Sequence, residues 1–380
     1  MPYYSHINAA TRLTAVLAGQ GHDVIAWAPE PCRRRIEAAG ARFELHEPEM
    51  PQVDGFFGWV AMLAETTEIW AQDLVPQLFA HEVDLIVHDS QVPWARVAGE
   101  YLGLPRIVSH PMFPVISPHH IRSDADWDLP SIHPEEAKER FEASWLSIAR
   151  RWGVELGDWH SVIHSAGASE TVVIFTTEEI VGHHELPDGW HCIGPLMEPP
   201  PPTAPSGDRP LVYVCFGTSF NARVELFRAV IEGLADEPVE VLVSTGDGRV
   251  SPEDLEPLPA NVAVRDFVPA REILARAAVH ITHGGCNSTH ECLLAGVPMV
   301  VIPQAYDQFP LAVRIEELGV GRGAAEDPME IRAAVRWLLE DESPRARARE
   351  LAQHLAQYDG ESRVAALVER ALAHSKEISA

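Results

Sequence analysis

Short runs dense in Val and Ile, each followed by a stretch with helical spacing, recur on both sides of one proline-rich break. On the first side lie HDVIAWA (22–28), DLIVHDS (84–90) and TVVIFTT (171–177). On the second lie PLVYVCFGT (210–218), VEVLVST (239–245), NVAVRDF (261–267), AVHITHGG (278–285) and VPMVVIP (297–303). Strands that are apolar on both faces must be covered on both faces, which is the condition of a parallel sheet between helical layers. The break, GPLMEPPPPTAPSGDRP (194–210), can continue neither a helix nor a central strand and reads as an extended linker. The lengths on either side each suit one domain. The expectation is an α/β protein of two Rossmann-like domains with parallel sheets facing across a cleft. They would comprise residues 1–194 and 210–380, joined by a linker at 195–209. Ligands of such sheets sit beyond the carboxyl ends of the strands.

The N-terminus departs from this pattern. A doubly wound domain opens with a buried strand, whereas this chain opens MPYYSHINAATRLTAVLAGQGHDV. The spacing predicts a helix over 7–18, ended by Gly19 and Gly21. The loop and the helix of a first βα unit are present without the strand before them. Either a start has been lost or the first domain lacks its first strand.

Charge and composition exclude several classes. The chain of 380 residues carries a formal charge of 29 − 56 = −27. Such an acidic protein does not track nucleic acid or an anionic membrane electrostatically. An anionic ligand would have to be held by local devices such as backbone N–H groups and helix ends. Five cysteines without CxxC spacing, Cys32, Cys192, Cys215, Cys286 and Cys292, read as reduced thiols of a cytoplasmic protein. No apolar run approaches the length of a membrane span. The oligomeric state is not legible, and a homodimer stays open.

The chemistry concentrates in ITHGGCNSTHECLLAGVPMVVIPQAYDQ (281–308). A strand ends at His283, and Gly284-Gly285 permit a tight turn and close approach to a ligand. Ser288 or Thr289 is expected to cap a helix running to Ala295, with Glu291 in its first turn. The N-terminus of that helix is a natural anion site, though Gly-Gly before a capped helix is equally the mark of an ordinary strand–turn–helix junction.

The order DFVPAREIL, HGGCNSTHE, GVPMVVIP and DQ is what resembles the family 1 glycosyltransferases, nucleotide-sugar-dependent enzymes of the GT-B fold. The resemblance is nearest to bacterial members that glycosylate macrolides and other natural products. It covers nearly the whole chain, and most specifically residues 266–308. It implies that His283, Gly284, Gly285, Asn287 and Ser288 meet a diphosphate. Glu291 would then accept from ribose hydroxyls, Phe267 and Val268 bracket the base, and Asp307 and Gln308 read the sugar. FGTS (216–219) matches a phosphate-side loop, which adds Thr218. Plant members carry Trp at the positions of Cys286 and Phe267, so UDP and dTDP donors both fit the motif.

In the first domain, His6-Ile7-Asn8 matches the family's loop histidine, with Ala9 where a proline is usual. Asp89, closing DLIVHD, matches its aspartate partner. Transfer to a hydroxyl needs a base of pKa near neutrality, which imidazole supplies, oriented by a carboxylate on its other nitrogen. HPMFPVISPHH (110–120) and the tryptophans after it lie where the family builds its acceptor pocket, giving Met112, Phe113 and Trp127 as candidates beside ordinary packing. His160 and His164, four apart and without a third ligand at a recognisable spacing, read as a solvated helix face in preference to a metal site; His119-His120 and His183-His184 fall in loop-like segments, and DADWD (124–128) reads as part of an acceptor-side loop, since the resemblance implies no essential metal. The expectation is an inverting hexosyltransferase with no cofactor and no metal, acting on a lipophilic hydroxylated acceptor. Two rivals are a catalytically silent sugar-nucleotide-binding protein and a nucleotide-sugar epimerase.

Overall fold

The computed structural model describes residues 4–47, 55–114, 134–154, 170–182, 186–201, 208–217, 222–246, 249–304 and 307–378. The expected contacts Thr218 and Trp127, the histidine pairs at 119–120, 160/164 and 183–184, DADWD and the core of the linker lie outside these residues.

The C-terminal half is built on one continuous parallel sheet of six strands. These are β7 (Leu211–Cys215), β8 (Glu240–Ser244), β9 (Val262–Arg265), β10 (Val279–Thr282), β11 (Met299–Val301) and β12 (Gly321–Gly323), ordered β12-β11-β10-β7-β8-β9. Order reverses between β7 and β10, so the crevice beyond their carboxyl ends is the switch point. Val212, Val214, Val241, Val243, Ile281 and Val300 pack under one helical layer, while Tyr213, Met299 and Val301 face the other. That division explains the continuous apolar runs read from the sequence.

The N-terminal half divides its strands between two sheets. Strand β1 (Ile25–Ala28) pairs with β2 (Arg42–Leu45), and β3 (Ile86–Asp89), β4 (Arg106–His110), β5 (Thr171–Ile174) and β6 (Trp190–Cys192) pair in sequence order. All pairings are parallel. The helices around them are α1 (Tyr4–Gly19), α2 (Arg33–Ala38), α3 (Gly55–Ala80), α4 (Pro93–Tyr101), α5 (Pro134–Trp152) and α6 (Glu178–Val181). The C-terminal half carries α7 (Val224–Leu234), α8 (Ala270–Leu274), α9 (Cys286–Leu294), α10 (Gln308–Glu317), α11 (Pro328–Glu340), α12 (Ser343–Ala356) and α13 (Gly360–Ile378).

The last of these returns to the first half. Val364, Leu367 and Val368 of α13 pack with Leu13 and Leu17 of α1 and Ile107 of β4. Polar bonds add to this junction: Tyr358 donates to Glu178, and Arg314 donates to the carbonyls of Glu179 and Ile180.

Two local expectations are corrected. The histidine loop is helical, because α1 begins at Tyr4 and takes His6 into its first turns. The helix after Gly-Gly is capped by neither Ser288 nor Thr289. Gly285 stands at its N-cap, the helix ends at Leu294, and no side chain caps it. Ser288 is drawn inward instead: its hydroxyl lies 3.2 Å from His280 Nε2 and 3.4 Å from Thr282 Oγ1. With the start moved up to Cys286, Glu291 falls in the second turn.

Candidate active site

On the N-terminal side, one contact brings together two residues 83 positions apart. His6 Nδ1 lies 2.8 and 2.7 Å from the two carboxylate oxygens of Asp89. Asp89 closes β3 and also accepts the Gln91 N–H at 2.8 Å. Burial alone would raise the Asp89 carboxyl, but His6 and the Gln91 N–H together hold it below the usual carboxylate range. An ionised Asp89 makes His6 Nδ1 the donor, so the accepting lone pair of the imidazole is on Nε2. A side chain arranged in this way can take a proton from a hydroxyl.

On the C-terminal side, β10 delivers the chain to His283, after which the backbone turns. Gly284 has φ +83°, where a side chain would be strained, and its added Cβ would also press on Val301. A Cβ at Gly285 would collide with the His283 ring, and one at Gly217 would come within 2.8 Å of it. These two glycines thus form a slot for the imidazole. Burial, and then the neighbouring His280, push His283 down to about 4, so it is neutral near pH 7 and offers one N–H without a charge. The first backbone bond of α9 runs from Thr289 N–H to Gly285. The amides of the preceding turn therefore have no partner in the helical ladder, and the positive end of α9 opens beside His283.

Around that helix end stand the remaining predicted residues. Asn287 and Glu291 share it with a cation that the sequence pattern had not singled out, Arg12 of α1. Arg12 Nη1 lies 3.4 Å from Asn287 Oδ1 and from the Pro195 carbonyl. Burial lowers the Arg12 guanidinium, and Glu291 pulls it back up. Burial likewise raises Glu291, against Arg12 and Arg271. Arg12 looks like a surface arginine in the sequence; its only signal there is that it falls about one and two-thirds turns after His6 on the same helix.

Phe267 is 79% exposed, an open aromatic face in the place assigned to a base. Val268 is half-buried against the helical layer beneath. Asp307 immediately precedes α10, and its Oδ2 accepts the Phe113 N–H at 3.1 Å, across the halves. Burial raises Asp307 to about 6, with that N–H opposing. Gln308 is buried, and its Oε1 accepts the Gln304 N–H at 2.8 Å. The Phe113 side chain is buried in the core of the C-terminal half, and Met112 packs with the tryptophan-rich cluster of the first half, its sulfur 3.3 Å from Gln91 Nε2. The structure therefore brings His6, Asp89, Arg12, Asn287, Glu291 and His283 to the junction of the halves. It also joins Asp307 to Phe113, and it leaves Phe267 open.

Comparison with known proteins bears on the fold and on what the chain is similar to. Residues 228–369 match the family model "Erythromycin biosynthesis protein CIII-like, C-terminal domain". The NDP-glycosyltransferase YjiC of Bacillus subtilis is 27% identical over 97% of this chain and 95% of its own. The oleandomycin glycosyltransferase of Streptomyces antibioticus is 26% identical over 97% and 89%. Among solved structures, the glycotransferase of kitacinnamycin superposes with a TM-score of 0.82 at 24% identity, covering 98% of this chain and 97% of that one. The calicheamicin glycosyltransferase CalG4 does so at 0.77 and 24%, over 97% and 96%. Both superpositions give the GT-B arrangement of two Rossmann-like domains.

Proposed function

We propose that this chain, similar over 97% of its length to NDP-sugar and natural-product glycosyltransferases, is a family 1 glycosyltransferase of the GT-B fold that inverts the anomeric centre of a nucleoside-diphosphate hexose while passing it to a hydroxyl of a lipophilic natural product. Residues 1–194 take the acceptor and residues 210–380 the donor, UDP- or dTDP-linked. The observation that carries this reading is the His6–Asp89 pair. His6 Nε2 takes the acceptor proton as the acceptor oxygen attacks the anomeric carbon, and Asp89 stabilises the imidazolium that results. Attack comes from the face opposite the diphosphate, through an oxocarbenium-like state. The C–O bond to the diphosphate breaks with both electrons on the leaving oxygen, and an α-linked donor gives a β-glycoside.

The negative charge that develops on the diphosphate is met by the N-terminus of α9, the N–H of His283 and Arg12. Glu291 accepts from the ribose and Phe267 stacks on the base. Asp307 and Gln308 read sugar hydroxyls, which requires the Asp307 carboxylate to exchange the Phe113 N–H for substrate. No metal is assigned a step. The relatives' names support the nucleotide-sugar donor and the natural-product acceptor. The cytoplasm is the assigned compartment.

Replacing His6 with Ala tests the base. The expected outcome is a loss of transfer of about 10²–10⁴-fold with nucleotide affinity unchanged. Full activity in that variant would remove His6 from the mechanism.

A further inference from the structure

Behind the glycine turn of the C-terminal half, a row of buried polar groups runs from β7 to α9. His280 of β10 lies flat on the Tyr213 ring of β7, with centroids 4.9 Å apart and planes inclined by 14°. Its Nδ1 is 3.1 Å from the Tyr213 carbonyl oxygen, and its Nε2 is 3.2 Å from Ser288 Oγ. Thr282 Oγ1 accepts the Gly284 N–H at 3.3 Å and lies 3.4 Å from the same Ser288 oxygen. His280 and Thr282 are fully buried. Ser288 is half-buried at the third position of α9, so its hydroxyl sits between this row and the open helix end.

The direction of each bond follows from the Tyr213 end. A carbonyl only accepts, so the hydrogen of the neutral ring is on Nδ1. Turning the ring over would put carbons against both partners. Burial pushes His280 down to about 4, which keeps a single hydrogen on it near pH 7. Nε2 is then a bare acceptor, and the hydrogen between it and Ser288 is the hydroxyl's own. Ser288 has one hydrogen to donate, and it points inward to His280. What the hydroxyl turns towards the helix end is a lone pair, which a phosphate oxygen repels. The backbone N–H groups of the same turn carry hydrogens that no such partner holds back.

We propose that His280 is a positioning residue that withholds the Ser288 hydroxyl hydrogen from the donor diphosphate, and so sets nucleotide affinity below what the residues of the turn could give. This rests on the reading of that helix end as the donor site. His280 touches no substrate: it is fully buried and acts through Ser288 alone. The diphosphate is then held by N–H groups and Arg12, and the Ser288 side chain adds no donor. The nucleoside diphosphate is a product as well as part of the donor. A hold weaker by one charge-assisted hydrogen bond releases it about tenfold sooner.

Two substitutions separate the ring nitrogens. An Asn amide nitrogen reaches the place of Nδ1, but the side chain ends short of Ser288. A Gln amide reaches the place of Nε2 and can turn its oxygen to the hydroxyl. In His280→Asn the freed hydroxyl has a charged phosphate oxygen to donate to, which outcompetes the Thr282 hydroxyl. Calorimetry is expected to show UDP or dTDP, whichever the unsubstituted protein binds, held about tenfold more tightly by His280→Asn. His280→Gln is expected to restore the original affinity to within about twofold, and adding Ser288→Ala to His280→Asn to abolish the gain. No gain in His280→Asn, or a gain that survives Ser288→Ala, would overturn the proposal. Nitrogen NMR of the unliganded, histidine-labelled protein reads the ring directly, its resonances identified by their loss in His280→Gln. A hydrogen on Nδ1 and a bare Nε2 are expected, and a hydrogen on Nε2 would overturn the proposal whether or not a nucleotide binds. The expected ring with no binding of either nucleotide, by the unsubstituted protein or any variant, would overturn the donor site and the proposal with it.

Discussion

The two halves are built from the same kind of unit and differ in how they treat their sheets. In the C-terminal half six strands run without interruption, and β10 and β11 are buried at every residue. In the N-terminal half the sheet is parted between β1 and β3, and β1 is buried at none. The continuous sheet positions the proposed donor site through backbone: a glycine turn, a slot for His283 and an uncapped helix end. The parted sheet positions its proposed site through side chains, His6 of α1 on Asp89 at the end of β3. An anion held mainly by backbone needs little side-chain charge from a chain of net charge −27, and Arg12 is the one cation assigned to it. A proton acceptor is a side-chain function, and its placing depends on whatever holds α1.

The contrast predicts unequal costs for equal truncations. Ile281→Ala in β10 should destabilise by about 3 kcal/mol, as for other buried large-to-small changes. Ile25→Ala in half-exposed β1 should cost about 1 kcal/mol or less, because less area leaves water there. Denaturant midpoints of the two variants decide this, and equal losses would mean that β1 is as well packed as β10.

A smaller effect is expected where the halves meet. Arg12→Ala removes the one cation that α1 brings to Asn287 and Glu291. Nucleotide diphosphate should bind about tenfold more weakly, roughly one buried charge-assisted hydrogen bond. Calorimetry reads this directly, and unchanged affinity would place Arg12 in packing alone.

The smallest effect concerns acid. Asp307 is raised in the folded chain to about 6, above an unfolded value near 4. The folded state thus binds the extra proton, and this contribution to stability is full below about pH 4 and is lost as pH rises to about 6. Asp307→Asn should flatten that stretch of the stability–pH curve. A curve unchanged between pH 4 and 6 would contradict the shift.

Much of this is legible in the sequence, and the exceptions have physical causes. The strands of the C-terminal half are continuous apolar runs, so their order with the intervening helices defines the architecture. Asp89 could be placed because it closes such a run. By contrast α3, 26 residues long with Pro76 inside it, is apolar nearly all round and shows no period to read. Strands β6 and β12, three residues each, are too short for one. Ser288 satisfied every rule for a cap, yet His280 and Thr282 behind it compete for its hydroxyl. Arg12 became visible only when the halves were brought together, since its partners lie 275 and 183 positions away.

The central claim is that the unbroken sheet carries a diphosphate site assembled largely from backbone, with His283 and Arg12 beside it. Side-by-side calorimetric titration with UDP and dTDP, without added metal, tests it most directly. The account predicts clear one-to-one binding of at least one of them, and the tighter of the two identifies the donor pool. Absence of binding by both would contradict it, and would return the chain to a protein that keeps the architecture of a sugar-nucleotide site without its use.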